Sequence, residues 1–369
     1  MKILHCAFMM KLELGIINQM RWEVSATKSL GLKWTSKIYT PNKVDHADKL
    51  FVKLNTSFEP SIFKSKLFPH LKEKKKFYEW LETESKNYDI VLLRHSTANP
   101  HQYKFIKTSK TPIWLVHHTL EIPEIESADT FKSLLKSLVE RFYGRKSIKN
   151  AIGIIGVTDE IINYELGRIK GISKPFLRYP NGILYDRKIN YIEDNRDTNN
   201  VEIIFIASFF SGWHGLDMLL NELKGSTNFE FIIHIVGAVG KDDLELAGND
   251  PRIKFHGLLS HHQIEKISAQ CWIGLASFGL NRKSMNQACT LKVRDYLKIG
   301  LPVYSSHQDV FPDDFRYYRQ GPLCIEKILS YAREMRTEDK VEISNFSKKF
   351  ISKKEIVKKF HDQFCELMT

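Results

Sequence analysis

Three stretches of this 369-residue chain carry residue types suited to an anionic, hydroxyl-rich ligand. The first is Thr290-Leu-Lys-Val-Arg-Asp-Tyr-Leu-Lys-Ile-Gly-Leu-Pro-Val303. Thr290 as N-cap, Gly300 as stop and Pro302 as breaker predict a helix over about Leu291 to Ile299. The first turn of such a helix, with Leu291 and Lys292, points unpaired N–H groups and a positive dipole end at the carboxyl edge of a sheet, where a diphosphate fits. Asp295, three residues after Lys292, is placed to accept hydrogen bonds from ribose hydroxyls. A solvated Lys/Asp pair accounts for the spacing equally well. The second stretch is Ser208-Phe-Phe-Ser-Gly-Trp-His-Gly215. Gly212 and Gly215 permit close backbone approach, and His214 between them could donate to a phosphate oxygen. The bland alternative is a glycine turn with Trp213 plugging the core. In the third, a strand over Ile113 to Val116 runs into His117-His118-Thr-Leu-Glu121, setting two imidazoles and a carboxylate at a carboxyl edge. A turn histidine bonded to backbone is the competing reading. The sequence has no Asp-x-Asp and no His-Glu-x-x-His, and Asp242-Asp243 and Asp313-Asp314 read as solvated turns, so no metal is expected.

Elements able to hold these stretches recur along the chain. Short β-rich runs alternate with longer amphipathic ones, the mark of βα repetition and a parallel sheet. Strands are expected near Lys2 to Met9, Ser36 to Tyr39, Tyr88 to Arg94, Ile113 to His117 and Ala151 to Val157. A second series is expected at Val201 to Ala207, Phe231 to Val236, Arg252 to His256, Trp272 to Ala276 and Leu301 to Tyr304. Between the series lie Tyr179-Pro-Asn-Gly and the polar run Glu193 to Asn200, which read as turn and linker. The division expected is 1–185, 186–345 and a last helix in 346–369. That helix opens at the capping box Ser352-Lys-Lys-Glu355 and carries Ile356, Phe360, Phe364 and Leu367 on one face.

Composition bounds the function. With 43% hydrophobic and 12% aromatic residues the chain can bury two cores. Five scattered cysteines (Cys6, Cys271, Cys289, Cys324, Cys365) form no disulfide framework and suit a reducing compartment. The start, MKILHCAFMMKLELG, lacks the features of a signal peptide, and no run approaches a membrane span. A cytoplasmic protein, peripheral on the inner membrane face if bound there at all, is expected. The formal charge of +12 favours anionic partners. Two basic amphipathic segments concentrate it. Lys64 to Lys76 carries six lysines beside Phe68, Phe77, Trp80 and Leu81. In the other, Phe131, Leu134, Leu135, Leu138, Val139 and Phe142 form a stripe flanked by Lys132, Lys136, Arg141, Arg145 and Lys146. That stripe is expected to pack on the sheet, its cations outward, where an anionic membrane surface would attract them. A nucleic-acid partner is not expected, because the cations lie beside apolar stripes and not along an aromatic groove.

Trp213-His-Gly after a strand, followed by Leu291-Lys-Val-Arg-Asp-Tyr-Leu-x-x-Gly-Leu-Pro-Val303, resembles retaining GT-B glycosyltransferases of family 4, most of all their bacterial surface-polysaccharide branch (capsule, O-antigen, lipopolysaccharide). Gly15 in an N-terminal loop, the Pro180-Asn-Gly turn and Gly279-Leu-Asn-Arg-Lys283 extend the likeness. The resemblance implies an α/β fold of two Rossmann-like domains facing across a cleft, the last helix crossing back to the first. It implies a nucleotide-diphosphate sugar as donor and a saccharide or polyprenyl-linked saccharide as acceptor, transferred with retention and without a metal. By the same resemblance Lys292 contacts the pyrophosphate, Asp295 takes the ribose role of the family's second glutamate, and Gln287 stands at the first. Ser208 and His214 stand near the position of two cations common in relatives, whose charge Arg282 and Lys283 would supply. A functional histidine is implied at His117 or His118, with Glu121 beside it. A nucleotide-sugar epimerase of the same architecture and a non-catalytic homologue are the competing expectations.

Overall fold

The computed structural model describes residues 1–45, 47–52, 67–185, 194–196, 200–227 and 230–368. Most of the run 186–199 thus lies outside the described residues, as do Lys64, Lys66 and the side chain of Phe68. The chain forms two compact units, Met1–Pro180 with Ile356–Thr369, and Asn181–Glu355.

The first unit is a parallel sheet of β1 (Ile3–Phe8), β2 (Trp34–Tyr39), β3 (Ile90–Arg94), β4 (Ile113–His117), β5 (Gly153–Gly156) and β6 (Phe176–Arg178), in the order β2-β1-β3-β4-β5-β6. The second repeats the plan with β7 (Val201–Phe209), β8 (Phe231–Ala238), β9 (Ile253–Gly257), β10 (Ile273–Leu275), β11 (Val303–Ser305) and β12 (Tyr318–Gln320), in the order β12-β11-β10-β7-β8-β9. Helices intervene, and the central strands are buried on both faces, which explains their unbroken apolar runs. The α/β class with two Rossmann-like sheets is as expected. The edge strands β6 and β12 were not foreseen; each has three residues and is half exposed, so neither length nor alternation marks it. Strand order reverses once per sheet, between β1 and β3 and between β7 and β10. Ligands of open α/β sheets bind beyond the carboxyl ends of strands at such reversals.

The Lys353–Met368 helix follows a break at Ser352, which pairs with Ile183. Its Ile356, Val357, Phe360 and Phe364 pack with Trp34, Trp114 and Tyr179 in the first unit, the Trp114 and Phe364 rings 5.0 Å apart. Leu367, assigned to that apolar face, is exposed.

The two basic segments fold in opposite senses. On the Leu67–Glu84 helix, Phe77 and Leu81 enter the core and Trp80 packs against it. The Phe131–Asn150 helix overturns expectation, because its apolar stripe faces outward. Ser133, Ser137, Glu140, Gly144 and Ser147 face inward instead. Glu140 decides this. Its carboxylate meets Arg168 at 2.7 Å and His95 at 3.1 Å, and a buried charge keeps such partners at the expense of apolar burial nearby. Gly144 leaves the room, since a Cβ there would lie 1.9 Å from Glu140 Oε1.

Candidate functional site

The strand reversal of the second unit is closed by two interlocked loops. After β7, the Ser211 N–H donates to Nδ1 of His214 (3.0 Å), and Gly215 turns the chain with a φ of 74° into the Leu216–Gly225 helix. The loop after β10 packs against it backbone to backbone. The Phe278 N–H donates to the His214 carbonyl at 2.9 Å, and a Cβ on Gly215 would lie 2.7 Å from the Gly279 nitrogen. Gly215 thus serves the close approach of the two loops, whereas a Cβ on Gly212 would meet nothing nearer than 3.5 Å. Trp213 does not plug the core. It is half exposed, its ring 3.8 Å from the His214 ring and flanked by the ammonium groups of Lys283 (5.0 Å) and Lys292 (5.6 Å).

The Leu291–Lys298 helix brings in Lys292. Two long-range ties hold it. The Tyr296 hydroxyl accepts the Ile206 N–H at 2.8 Å, and Arg294 makes a buried two-point pair with Asp309 at 2.6 and 2.5 Å. Thr290 occupies the N-cap, but its hydroxyl makes no capping bond and is buried without a partner. The Lys292 ammonium is likewise enclosed and has no hydrogen-bond acceptor among the described residues; it lies 5.2 Å from the Phe205 ring centre. Burial lowers its pKa to about 7. Burial and the charge of Lys292 lower His214 to about 3, so that ring is neutral, and with Nδ1 accepting from Ser211 its proton sits on Nε2, ready to donate. Nε2 of His307 and Oγ of Ser277 are also buried without partners, at the ends of β11 and β10. The Lys292 ammonium and the Thr290 hydroxyl at this helix N-terminus form a cradle of donors without an acceptor among the described residues, whereas His307, whose Nδ1 faces Ser305 Oγ and the Ser277 carbonyl, keeps Nε2 as an acceptor.

Sequence reasoning missed Ser277, His307 and Asp309. All three lie just past the carboxyl ends of β10 and β11, and that position is the signal by which they could have been found. Leu291 opens the helix as expected. Asp295 is exposed on it, although protein packed around the carboxyl raises it to about 6. Ser208 is exposed within β7, ahead of the loop. The Gln287 side chain donates to Gln308 at 3.0 Å, and the two residues also form a backbone bridge. Arg282 was expected to supply charge to a donor, but its guanidinium grips Asp217 at 2.9 and 2.7 Å and donates to the Gly212 carbonyl at 2.8 Å. Its charge is already neutralised. Arg282→Ala is therefore expected to change nucleotide affinity less than about threefold and to cost less than ~1 kcal/mol, as exposed pairs do; titration calorimetry and a melt check both.

In the first unit His117 and Glu121 are enclosed. His117 Nδ1 lies 2.7 Å from Glu121 and 3.8 Å from Glu165, and Arg168 joins Glu165 to Glu140 through contacts of 2.7 Å each. Burial drives His117 down to about 3. It raises Glu165 to about 8, and the neighbouring Glu121 adds to that. Glu140 goes the other way, to about 2, because His95 and Arg168 overcome its burial. His118 is the member of the pair with accessible surface. Gly15 lies in the first turn of the Leu14–Ser29 helix and not in the loop before it. Two groups among the described residues bring ligand atoms within 4.8 Å of one another, as a cation would require: His117, Glu121, Glu165 and, in the second unit, Glu202, His234, Cys271. Arg168 already serves Glu165 of the first group, and neither includes a residue of the Lys292 cradle.

No protein-family model and no curated protein matches the sequence. Solved structures do match in shape. The lipopolysaccharide outer core galactosyltransferase WaaB, in its apo form, is 15% identical over 99% of both chains with a TM-score of 0.66. Sucrose-phosphate synthase of Thermosynechococcus elongatus is 13% identical, with 100% of this chain and 99% of that one covered and a TM-score of 0.66. The UDP-GlcNAc 2-epimerase of Neisseria meningitidis is 13% identical over 99% and 100% of the two chains, with a TM-score of 0.51. Likeness at these identities is likeness of fold. Two parallel Rossmann-like sheets, each with one reversal of strand order, and full-length superposition on glycosyltransferase structures give this chain the GT-B fold.

Proposed function

We propose that the chain is a retaining glycosyltransferase that takes a nucleoside-diphosphate sugar in its Asn181–Glu355 unit and passes the sugar to a saccharide or polyprenyl-linked saccharide in the synthesis of a bacterial surface polysaccharide. The observation that carries this reading is the enclosed Lys292 ammonium, unpaired at a helix N-terminus beside the unpaired hydroxyl of Thr290. A pyrophosphate supplies the acceptor oxygens that both lack. Lys292, the first-turn N–H groups and Nε2–H of His214 then stabilise the diphosphate as it departs, an electrostatic contribution made in the water-poor setting where it is strongest. Asp295 binds the ribose, Gln287 faces the sugar and His118 meets the acceptor. Likeness of the Trp213-His-Gly and Leu291–Val303 segments to retaining enzymes supports the stereochemistry and the polysaccharide acceptor. The fold shared with a nucleotide-sugar epimerase supports a second reading, in which the same donor site serves epimerisation.

Thermal shift against uridine, guanosine, adenosine and cytidine diphosphates and their sugars, with EDTA present, tests the donor site. One nucleotide is expected to stabilise the chain, by ~2.7 kcal/mol at a hundred times its dissociation constant. Lys292→Ala and Asp295→Ala should each remove most of that. If no nucleotide stabilises the protein, the donor assignment falls. Incubation with the nucleotide sugar but without acceptor then separates the two activities, since an epimerised product appears only in the second reading. Affinity also carries a pH signature. The free ammonium titrates near pH 7 and binding requires its charged form, so affinity for a nucleotide sugar should be greatest below pH 7 and fall about tenfold per pH unit above it.

A further inference from the structure

We propose that the outward face of the Phe131–Asn150 helix docks the protein on an anionic membrane, lying in the plane of the headgroups. Phe131, Leu134, Leu135, Leu138, Val139 and Phe142 are between 38% and 78% exposed. At about 100° per residue they fill an arc of about 140° centred opposite the inward face of Ser133, Ser137, Glu140, Gly144 and Ser147. Scattered exposed leucines need no explanation, whereas six contiguous large apolar side chains on one helix do.

The charges around the stripe name the occupant. The helix carries six cations, Lys132, Lys136, Arg141, Arg145, Lys146 and Lys149, and its one acid, Glu140, is turned inward. Lys132 and Lys136 border one side of the stripe, Arg141 on the other side is paired with Glu126 at 2.8 Å, and the Lys146 ammonium sits 3.9 Å over the Phe142 ring, its stem along the apolar surface. An apolar stripe with basic borders matches acyl chains beneath anionic headgroups. A protein partner would have to offer an apolar groove rimmed by acids. The helix lies on the bilayer and does not cross it, since no described helix is apolar enough to span.

The proposal is independent of the donor chemistry, and its test reads membrane binding alone. The full chain is co-sedimented with vesicles of phosphatidylcholine, alone or with about 30% phosphatidylglycerol, in about 0.05 M and 0.5 M NaCl. Binding to the anionic vesicles at low salt is expected, at least about tenfold weaker without phosphatidylglycerol and weaker again at high salt. Leu134→Glu with Leu138→Glu should lower it at least about tenfold, with the melt unchanged, because both side chains already face water. Lys132→Ala with Lys136→Ala should weaken binding and flatten its salt dependence. Equal binding by the leucine double variant, or none by the native chain, overturns the proposal. A concentration-dependent dimer that the leucine variant dissociates, with no vesicle binding, overturns it in favour of self-association.

Discussion

Lys292→Met is expected to raise the melting temperature of the ligand-free protein and to abolish its response to nucleotide. In the fold the ammonium is enclosed, faces two aromatic rings and has no acceptor among the described residues, and burial lowers its pKa from 10.5 to about 7. An unfolded chain restores the ordinary value. Between these two pKa values the unfolded state holds more protons, so this group's contribution to stability rises with pH across that window, and its cost is fully present at pH 7 and below. At ~1.4 kcal/mol per pKa unit the cost is on the order of a few kcal/mol. Methionine has similar length, no charge and a sulfur that packs well on aromatic rings. A gain of about 2 kcal/mol, or about 5 °C, is expected at pH 7 and should shrink toward pH 10 as the native lysine loses its proton. Calorimetric melts of both proteins across that range check it. A variant that melts below the native chain throughout would mean that the ammonium is not a destabilised group awaiting an anion.

Arg168→Met should have the opposite effect, loosening the first unit by about 3–5 kcal/mol, the usual consequence of removing one partner from a buried ion network. Arg168 contacts Glu140 and Glu165 directly and lies 4.0 Å from Glu121, all three carboxylates being buried. Without the guanidinium, Glu140 keeps, among the described residues, His95 and the Ala98 N–H, and the helix it holds with its apolar face outward loses its main tie. Chemical denaturation measures the loss, and a shift below about 1 kcal/mol would assign the network's stability elsewhere. Glu165→Gln is the companion variant. The folded pKa of Glu165, about 8, lies above its unfolded value, so its contribution is fully present below pH 4.5 and is lost as pH rises through about 8. Glutamine imitates the protonated carboxyl at every pH, and the variant should therefore lose less stability than the native chain between about pH 5 and 8.

Much of the local architecture was written in short-range pattern. Apolar runs marked the central strands, the Thr290, Gly300 and Pro302 punctuation marked the helix of Lys292, and Ser352-Lys-Lys-Glu355 marked where the last helix begins. Each depends on neighbours a few residues apart, and such signals survive without tertiary information. Their alternation gave the α/β class, and the GT-B fold was implied by the resemblance of the Trp213-His-Gly and Leu291–Val303 segments to a known family. Which face of an element turns inward depends on partners far along the chain. The stripe of the Phe131–Asn150 helix was expected to be core because apolar periodicity ordinarily marks the buried face, yet Glu140 pairs with Arg168, 28 residues on, and draws the polar face inside. Arg282 looked like spare charge until Asp217, 65 residues away, was found to hold it. His117 and His118 are adjacent and alike in type, but only the sheet edge separates the buried one from the accessible one. Residue types, the central strands and the start of the Lys292 helix are legible in the order of residues alone. Tertiary structure decided which charges are already paired and which, like that of Lys292, are left for a ligand, because pairing and burial are properties of contacts that no local spacing contains.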